Sequence, residues 1–281
     1  MPGTQTEERR TQRLKQQTAE RFSVMWRHDD AKSTPEEFHY DRVSRLLPSG
    51  HLHGLILDAG CGQGIDSLRM AQSCSGSVVS LDLSPGGVAV TRERTKHLGN
   101  VQVIRGDIER IPLKSGQFDF VYSYGVLHHT PHPEQGLREL VRMLKPGGLL
   151  AIYLYEDFKS RSAAERALLW AVNRLRLMTV PMPPQLLYRL CQLGSPFIYL
   201  GLTLPAKGLE RLGFGGLSRR IPYHHGTGPF SMAADLYDRF AAPIEKRYDR
   251  SQLEGWLTGQ ELQNVNVVPL RGWLAYGKRN E

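Results

Sequence analysis

Three carboxylates fall where short aliphatic runs stop. Asp58 ends "LILD", Asp82 ends "SVVSLD" and Asp107 ends "VQVIRGD". Just after the first of them, Gly60, Gly62 and Gly64 alternate through "AGCGQGI". A carboxylate only accepts hydrogen bonds, so the paired hydroxyls of a ribose are natural donors to it. Glycine permits positive φ and lets a ligand approach the main chain. Further on, His128 and His129 stand side by side in "VLHHTPHP", and Tyr155 and Glu156 close "LLAIYLYE". A histidine can take a proton near neutrality, which suits a nucleophile that must shed one.

These residues can meet only if the runs that carry them lie side by side. Short apolar runs at 53–60, 77–84, 101–107, 118–125 and 149–156 read as strands buried on both faces. Helical stretches separate them, so the pattern predicts right-handed crossovers and a mostly parallel, doubly wound sheet. In such a sheet ligands bind beyond the C-terminal strand ends, where the topology reverses, so the acids and the glycine turn share one edge. Two more strands are expected near 262–268 and 272–278, after a helix at 249–259 capped by Asp249 or Ser251.

The other boundaries follow from composition. Residues 1–50 form a helical cap, with one helix over 7–27. A second opens at Ser33 or Thr34 with Pro35 in its first turn and carries Phe38, Val43, Leu46 and Leu47 at helical spacing. The core is 51–156, an insertion runs 157–232, and 233–281 completes the sheet. Within the insertion, 160–178 and 184–200 read as helices and 213–230 as a glycine-rich loop.

What would the mouth hold? The dinucleotide fingerprint G-x-G-x-x-G needs a third glycine where this chain has Ile65, and no Gly-Lys-Ser/Thr marks a phosphate loop. A nucleoside without pyrophosphate fits better.

Taken in order, "LDAGCGQG", "LDLS", "GDIERIPL" and "FDFVYSYGVLHHTPHPEQGLRELVRMLKPGG" resemble the motifs of the class I S-adenosylmethionine-dependent methyltransferases, especially the methyltransferase type 11 group, over about residues 50–156. The resemblance implies a Rossmann-like seven-stranded sheet and S-adenosylmethionine as cofactor. It places the cofactor against Asp58, Gly60, Cys61, Gly62 and Gly64. Asp82 and Leu83 would meet the ribose, Asp107 and Ile108 the adenine, and Ser123 and Tyr124 the sulfonium end. It also turns the loop after the fourth strand toward the substrate, making His129 the first candidate base, followed by His128 and Tyr155. His132 reads as a helix-entry residue. Trp26, His39 and Tyr40 of the cap read as core packing or as a cover over the cofactor. His224 and His225 sit in a flexible loop suited to a substrate, and no metal site is expected. No Asp/Asn-Pro-Pro-Tyr signature for planar amino groups is present, which favours oxygen or carbon as the methylated atom.

Three cysteines, Cys61, Cys74 and Cys191, lie far apart with no C-x-x-C pair, which argues against a disulfide framework and for a reducing compartment. The polar first 25 residues read as no secretory signal, so a cytoplasmic location is expected. Charge is unevenly spread: residues 157–220 carry 10 Lys+Arg against 3 Asp+Glu, which is +7 of the chain's net +8. Leucines and aromatics interleave those charges. The segment reads as a lid lying on an anionic membrane, as an RNA or carrier-protein surface, or as a solvated or dimer face. The acceptor is accordingly a small or lipid-linked molecule, with nucleic acid disfavoured and the oligomeric state undetermined. A binding or assembly subunit that keeps the pocket without catalysis is the alternative from another class.

Overall fold

The computed structural model describes residues 2–28, 39–219, 221, 223–224 and 226–281. The expected cap at Ser33 or Thr34, together with Pro35 and Phe38, lies outside the described residues, as do Arg220 and His225. The chain forms two compact units, Met1–Arg166 with Pro243–Glu281, and Ala167–Ala242. The insertion therefore starts and stops ten residues later than its composition suggested. Residues 157–166 stay with the core, and 233–242 leave it.

In the first unit α1 (Pro2–His28) and the short α2 (His39–Ser44) precede the sheet. Then come β1 (Leu55–Ala59), α3 (Ile65–Ser73), β2 (Ser77–Asp82), α4 (Pro85–Thr95), β3 (Val101–Arg105) and β4 (Phe118–Tyr124). A 3-10 turn at Leu127–His129 leads into α5 (Pro133–Met143) and β5 (Leu144–Leu154). After the second unit, α11 (Arg250–Thr258), β6 (Leu262–Pro269) and β7 (Trp273–Arg279) finish the sheet. Its strand order is β3-β2-β1-β4-β5-β7-β6, with β7 antiparallel to both neighbours and the other pairs parallel. The order reverses between β1 and β4, so the crevice opens beside Asp58 and Tyr122, which pair across that seam.

Strand alternation divides the core into two layers. Leu57, Val79, Val121 and Ile152 face one side, where α5 brings Leu137 and Leu140 and α11 brings Leu253. Ile56, Val78, Phe120 and Tyr122 face the other, against Met70 of α3 and Tyr40 and Val43 of α2. The helix starts follow from local chemistry. Pro133 opens α5, Ser84 caps α4 by accepting from Gly87 N at 3.1 Å, and Asp249 makes a capping box with Gln252.

In the second unit the sequence runs α6 (Ala163–Thr179, its first turn belonging to the core unit), α7 (Pro184–Ile198), a π turn (Tyr199–Thr203), α8 (Leu204–Arg211), α9 (Gly215–Ser218) and α10 (Ala233–Ala241). Helices α8, α9 and α10 were not anticipated. Tyr188 and Tyr237 pack edge to face between α7 and α10. Arg176 Nη2 and Thr179 Oγ1 donate to the carbonyls of Ala242 and Phe240 at 2.7 and 2.8 Å, capping the C-terminus of α10.

Beneath the crevice, Tyr122 donates its hydroxyl to Asp66 Oδ2 at 2.9 Å, while Asp66 Oδ1 accepts from Tyr40 N at 3.0 Å. This buried acid ties β4, α3 and α2 together. Tyr122→Phe is expected to cost about 1–2 kcal/mol of stability, read from the urea midpoint of the core unit. An unchanged midpoint would show that the bond carries no net stability.

Candidate active site

The glycine turn between β1 and α3 is wound left-handed, with φ of +87°, +53° and +72° at Gly60, Gly62 and Gly64. An added Cβ would collide with Val126 at Gly60, with Trp26 at Gly62 and with Thr91 at Gly64. The space kept clear by these glycines is thus filled by the protein's own side chains. The N–H groups of the three glycines and Cys61 are also engaged within the protein. Gly60 and Cys61 both donate N–H to Leu81 O, Gly62 donates to Asp82 Oδ2 and Gly64 to Cys61 O. With these donors used internally, none is offered to a pyrophosphate.

Asp82 is the centre of that arrangement. It is buried, and burial raises its pKa, against hydrogen bonds from Ser84 and Gly62 that favour the charge. Oδ1 accepts from Ser84 N and Ser84 Oγ, both at 2.7 Å, and Oδ2 accepts from Gly62 N at 2.9 Å. A carboxylate offers about four acceptor sites, so three donors leave one for a hydroxyl. Leu83, half-buried, accepts from Arg105 Nε through its carbonyl. Cys61 lies near Thr91 Oγ1, and burial together with Asp82 and Asp58 pushes its thiol pKa well up, so it is no nucleophile.

Asp107 keeps its place at the same edge but is already engaged. Oδ2 pairs with Lys15 of α1 at 2.6 Å, and Oδ1 accepts from Glu109 N at 2.9 Å. Burial opposes the charge on Lys15, yet its hydrogen bonds to Asp107 and Glu109 outweigh that and raise its pKa. Ile108 is buried beside them. From Lys15, α1 continues along α4, where Gly86 N donates to Ser23 Oγ at 3.0 Å. It then sets Trp26 over Gly62 and Phe22 5.3 Å from the His129 ring. Trp26 therefore covers the turn. Tyr40 is core, and His39 stacks on Tyr124, which stacks on Tyr153. Ser123 is buried and donates to Ala59 O at 2.8 Å, bracing β4 on β1.

The two adjacent histidines differ in kind. His128 is fully buried, neither ring nitrogen has a hydrogen-bond partner among the described residues, and it stacks on Tyr155 at 3.9 Å. Burial, aided by His129 and Arg247, holds its pKa well below the ordinary value, so it stays neutral. His129 instead meets the main-chain carbonyl of Ile244 with Nδ1 at 2.7 Å. A carbonyl only accepts, so Nδ1 carries a proton, and in the neutral ring the lone pair falls to Nε2. Tyr155 packs against both rings, with the Arg247 guanidinium 5.2 Å from its centroid. Glu156 is held by Arg161 through two bonds of 2.9 and 2.7 Å. His132 precedes α5 and donates its N–H to Glu109 at 2.6 Å. His224 belongs to the second unit, where its Nδ1 meets Ile221 O.

Sequence reading missed Lys15, Phe22 and Ser23, because a polar helix at the start of a chain signals no particular contact. It also missed the segment Ile244–Tyr248, which returns to the site from the far side of the insertion. Lys246 N donates to His128 O there, and Tyr248 N to Tyr155 O.

Asp58, expected at the cofactor, lies buried beneath the turn. Ser67 Oγ donates to it at 2.5 Å and itself accepts from Ser80 Oγ at 2.8 Å. Burial, with Asp66 and Asp82 nearby, pushes its pKa up to about 8.

Residues 57–152 match the methyltransferase domain family. The chain is 31% identical to the phthiotriol/phenolphthiotriol dimycocerosates methyltransferase of Mycobacterium leprae, over 53% of this chain and 55% of that protein. It is 34% identical to the demethylmenaquinone methyltransferase of Staphylococcus haemolyticus, over 34% of this chain and 40% of that one. The chain spans a quarter to about half the length of the curated relatives it matches. In fold it is similar to a SAM dependent methyltransferase from Aquifex aeolicus, with a TM-score of 0.51, 17% identity, and coverage of 92% of this chain and 96% of that one. Residues 57–152 thus carry a methyltransferase domain, on a sheet whose fold resembles that of the Aquifex aeolicus structure. The residues present fit a nucleoside such as S-adenosylmethionine: a buried acid with an acceptor site beyond its three donors, and a second acid one strand away.

Because the folded pKa of Asp58 lies above the usual carboxylate value, folding takes up a proton between about pH 4 and pH 8. The stability this provides is complete below that window and is lost as pH rises through it. Asp58→Asn removes the titration. Its stability relative to the wild type should therefore rise by about 2 kcal/mol or more from pH 4.5 to 8.5 in urea denaturation. Parallel pH curves for the two proteins would show that Asp58 is ionised in the fold.

Proposed function

We propose that this chain is a methyltransferase acting on an oxygen or carbon of a small-molecule or lipid-linked acceptor, with S-adenosylmethionine as donor. The observation that carries the reading is the fixed tautomer of His129, set at the strand edge that also carries Asp82 and Asp107. When bound, S-adenosylmethionine supplies a methyl group on a sulfonium, a good leaving group. Asp82 would hold the ribose through its remaining acceptor site, and Asp107 and Ile108 would meet the base.

The chain's own residues then have two duties. The first is to orient the acceptor and exclude water, which suits Phe22, Trp26 and Tyr155 around the crevice. The second is to take the proton that a hydroxyl or activated carbon must lose. His129 Nε2 is available for this because the Ile244 carbonyl engages Nδ1, and that same carbonyl stabilises the imidazolium once formed. His128, neutral and sealed, serves as the wall against which Tyr155 packs. Relatives that carry lipid and quinone names support an acceptor with an apolar body.

The test is incubation with radiolabelled methyl donor and fractionated cell extract. Label is expected in a lipid or small-molecule fraction. Label confined to RNA or protein would overturn the acceptor class, and no label in any fraction would favour a binding subunit. On the labelled acceptor, His129→Gln should lower kcat by about 10²–10⁴-fold and leave KM for the donor nearly unchanged. A kcat within two-fold of wild type would remove His129 as the base.

A further inference from the structure

Nearly all of the chain's large exposed apolar side chains lie between Leu168 and Phe230; Leu46 is the exception among the described residues. They are ordered. From α7 through the π turn into α8 the backbone is continuously helical over 184–211. Leu186, Leu190, Leu193, Phe197, Leu200 and Leu204 recur along it at spacings of four and three, which places them on one face. Phe197 is 76% exposed and Leu193 67%. The opposite face, with Leu187, Tyr188, Cys191 and Ser195, is buried in the same unit and packs on α10. The helix thus has two apolar faces, of which one is packed and the other is exposed among the described residues.

Cations border the open face. Arg189 falls three residues after Leu186 and four before Leu193, Lys207 three after Leu204, and Arg211 seven after Leu204. On α6, Arg174 lies 5.2 Å over the ring of Trp170, which is itself 61% exposed. The unit 167–242 holds eight Lys+Arg against three Asp+Glu. Among the described residues no helix is long and apolar enough to cross a membrane. An apolar stripe edged by cations is the pattern of a helix lying in a lipid interface, its leucines at the acyl boundary and its cations among phosphates. A second copy would bring two faces of like positive charge together, and nucleic acid would gain nothing from the leucines.

We propose that the face of α7 and α8 bearing Leu193 and Phe197 docks in-plane on an anionic lipid surface. The surface belongs to the second unit, whereas the residues of the candidate site belong to the first. Its consequence, that the acceptor resides in or near a membrane, rests on the methyl-transfer reading.

The test is co-sedimentation of the full chain with phosphatidylcholine vesicles with and without phosphatidylglycerol, at low and high salt. The chain should pellet with the phosphatidylglycerol vesicles and be released by salt. Leu193→Ser with Phe197→Ser should lower the partition about ten-fold or more, and Arg189→Ser about five-fold at low salt. Thermal melts of these variants should match wild type, since the side chains are exposed. A wild-type chain that stays in the supernatant with both vesicles overturns the proposal. So does a serine pair that partitions as wild type, or a wild-type dimer that the serine pair turns into a monomer, which would assign the stripe to a second copy. Cofactor titration on the same preparation separates the readings. Vesicle binding without cofactor binding sinks the methyl-transfer reading alone, and cofactor binding without vesicle binding sinks the lipid surface alone.

Discussion

The site is organised around one buried carboxylate. Stripping water from an anion is costly, and Asp82 tolerates it because three donors converge on it: two from Ser84, and the N–H of Gly62. Those same bonds fix the glycine turn to the end of β2 and set the start of α4. Remove the carboxylate and the turn loses its anchor, while α4 loses the residue that orients its cap. The acid is therefore structural and receptive at once. Three of its acceptor sites hold the protein together, which leaves the fourth for the hydroxyl that the proposed function assigns to it.

A second contrast concerns two neighbours in the chain. His128 and His129 share a 3-10 turn, yet their environments separate them completely. Burial with no hydrogen-bond partner among the described residues leaves His128 neutral and inert, whereas one carbonyl from a segment over a hundred residues away gives His129 a defined tautomer. That carbonyl belongs to Ile244, on the strip that follows the inserted unit. The insertion is thus bracketed by residues of the site, with Tyr155, Glu156 and Arg161 before it and Ile244 to Tyr248 after it.

Much of this was legible in the sequence for physical reasons. Buried strands declare themselves by continuous aliphatic runs, and helix starts such as Ser84-Pro85 and Asp249 declare themselves by caps. All seven strands lie within a few residues of where patterning placed them, except that β5 begins earlier, at Leu144. What patterning could not supply was the identity of distant partners. Nothing in "TQRLKQQ" says that Lys15 will neutralise Asp107, and nothing in "APIEKRY" says that its first carbonyls will orient a histidine. The sequence reading set Asp58, Asp82 and Asp107 all against the cofactor. The fold gives them three roles: a neutral acid under the turn, an anchor with one free site, and an ion-paired rim. The glycines were read as clearance for a ligand, but Val126, Trp26 and Thr91 occupy that clearance.

On the proposed function, the Asp82 anchor receives a nucleoside without pyrophosphate. Calorimetric titration of the full chain with S-adenosylhomocysteine and, separately, with NAD tests it most directly. Saturable one-to-one binding of the sulfur nucleoside is expected, at least ten-fold weaker in Asp82→Asn, with no heat from NAD. Binding of NAD, or nucleoside binding indifferent to Asp82→Asn, would contradict it.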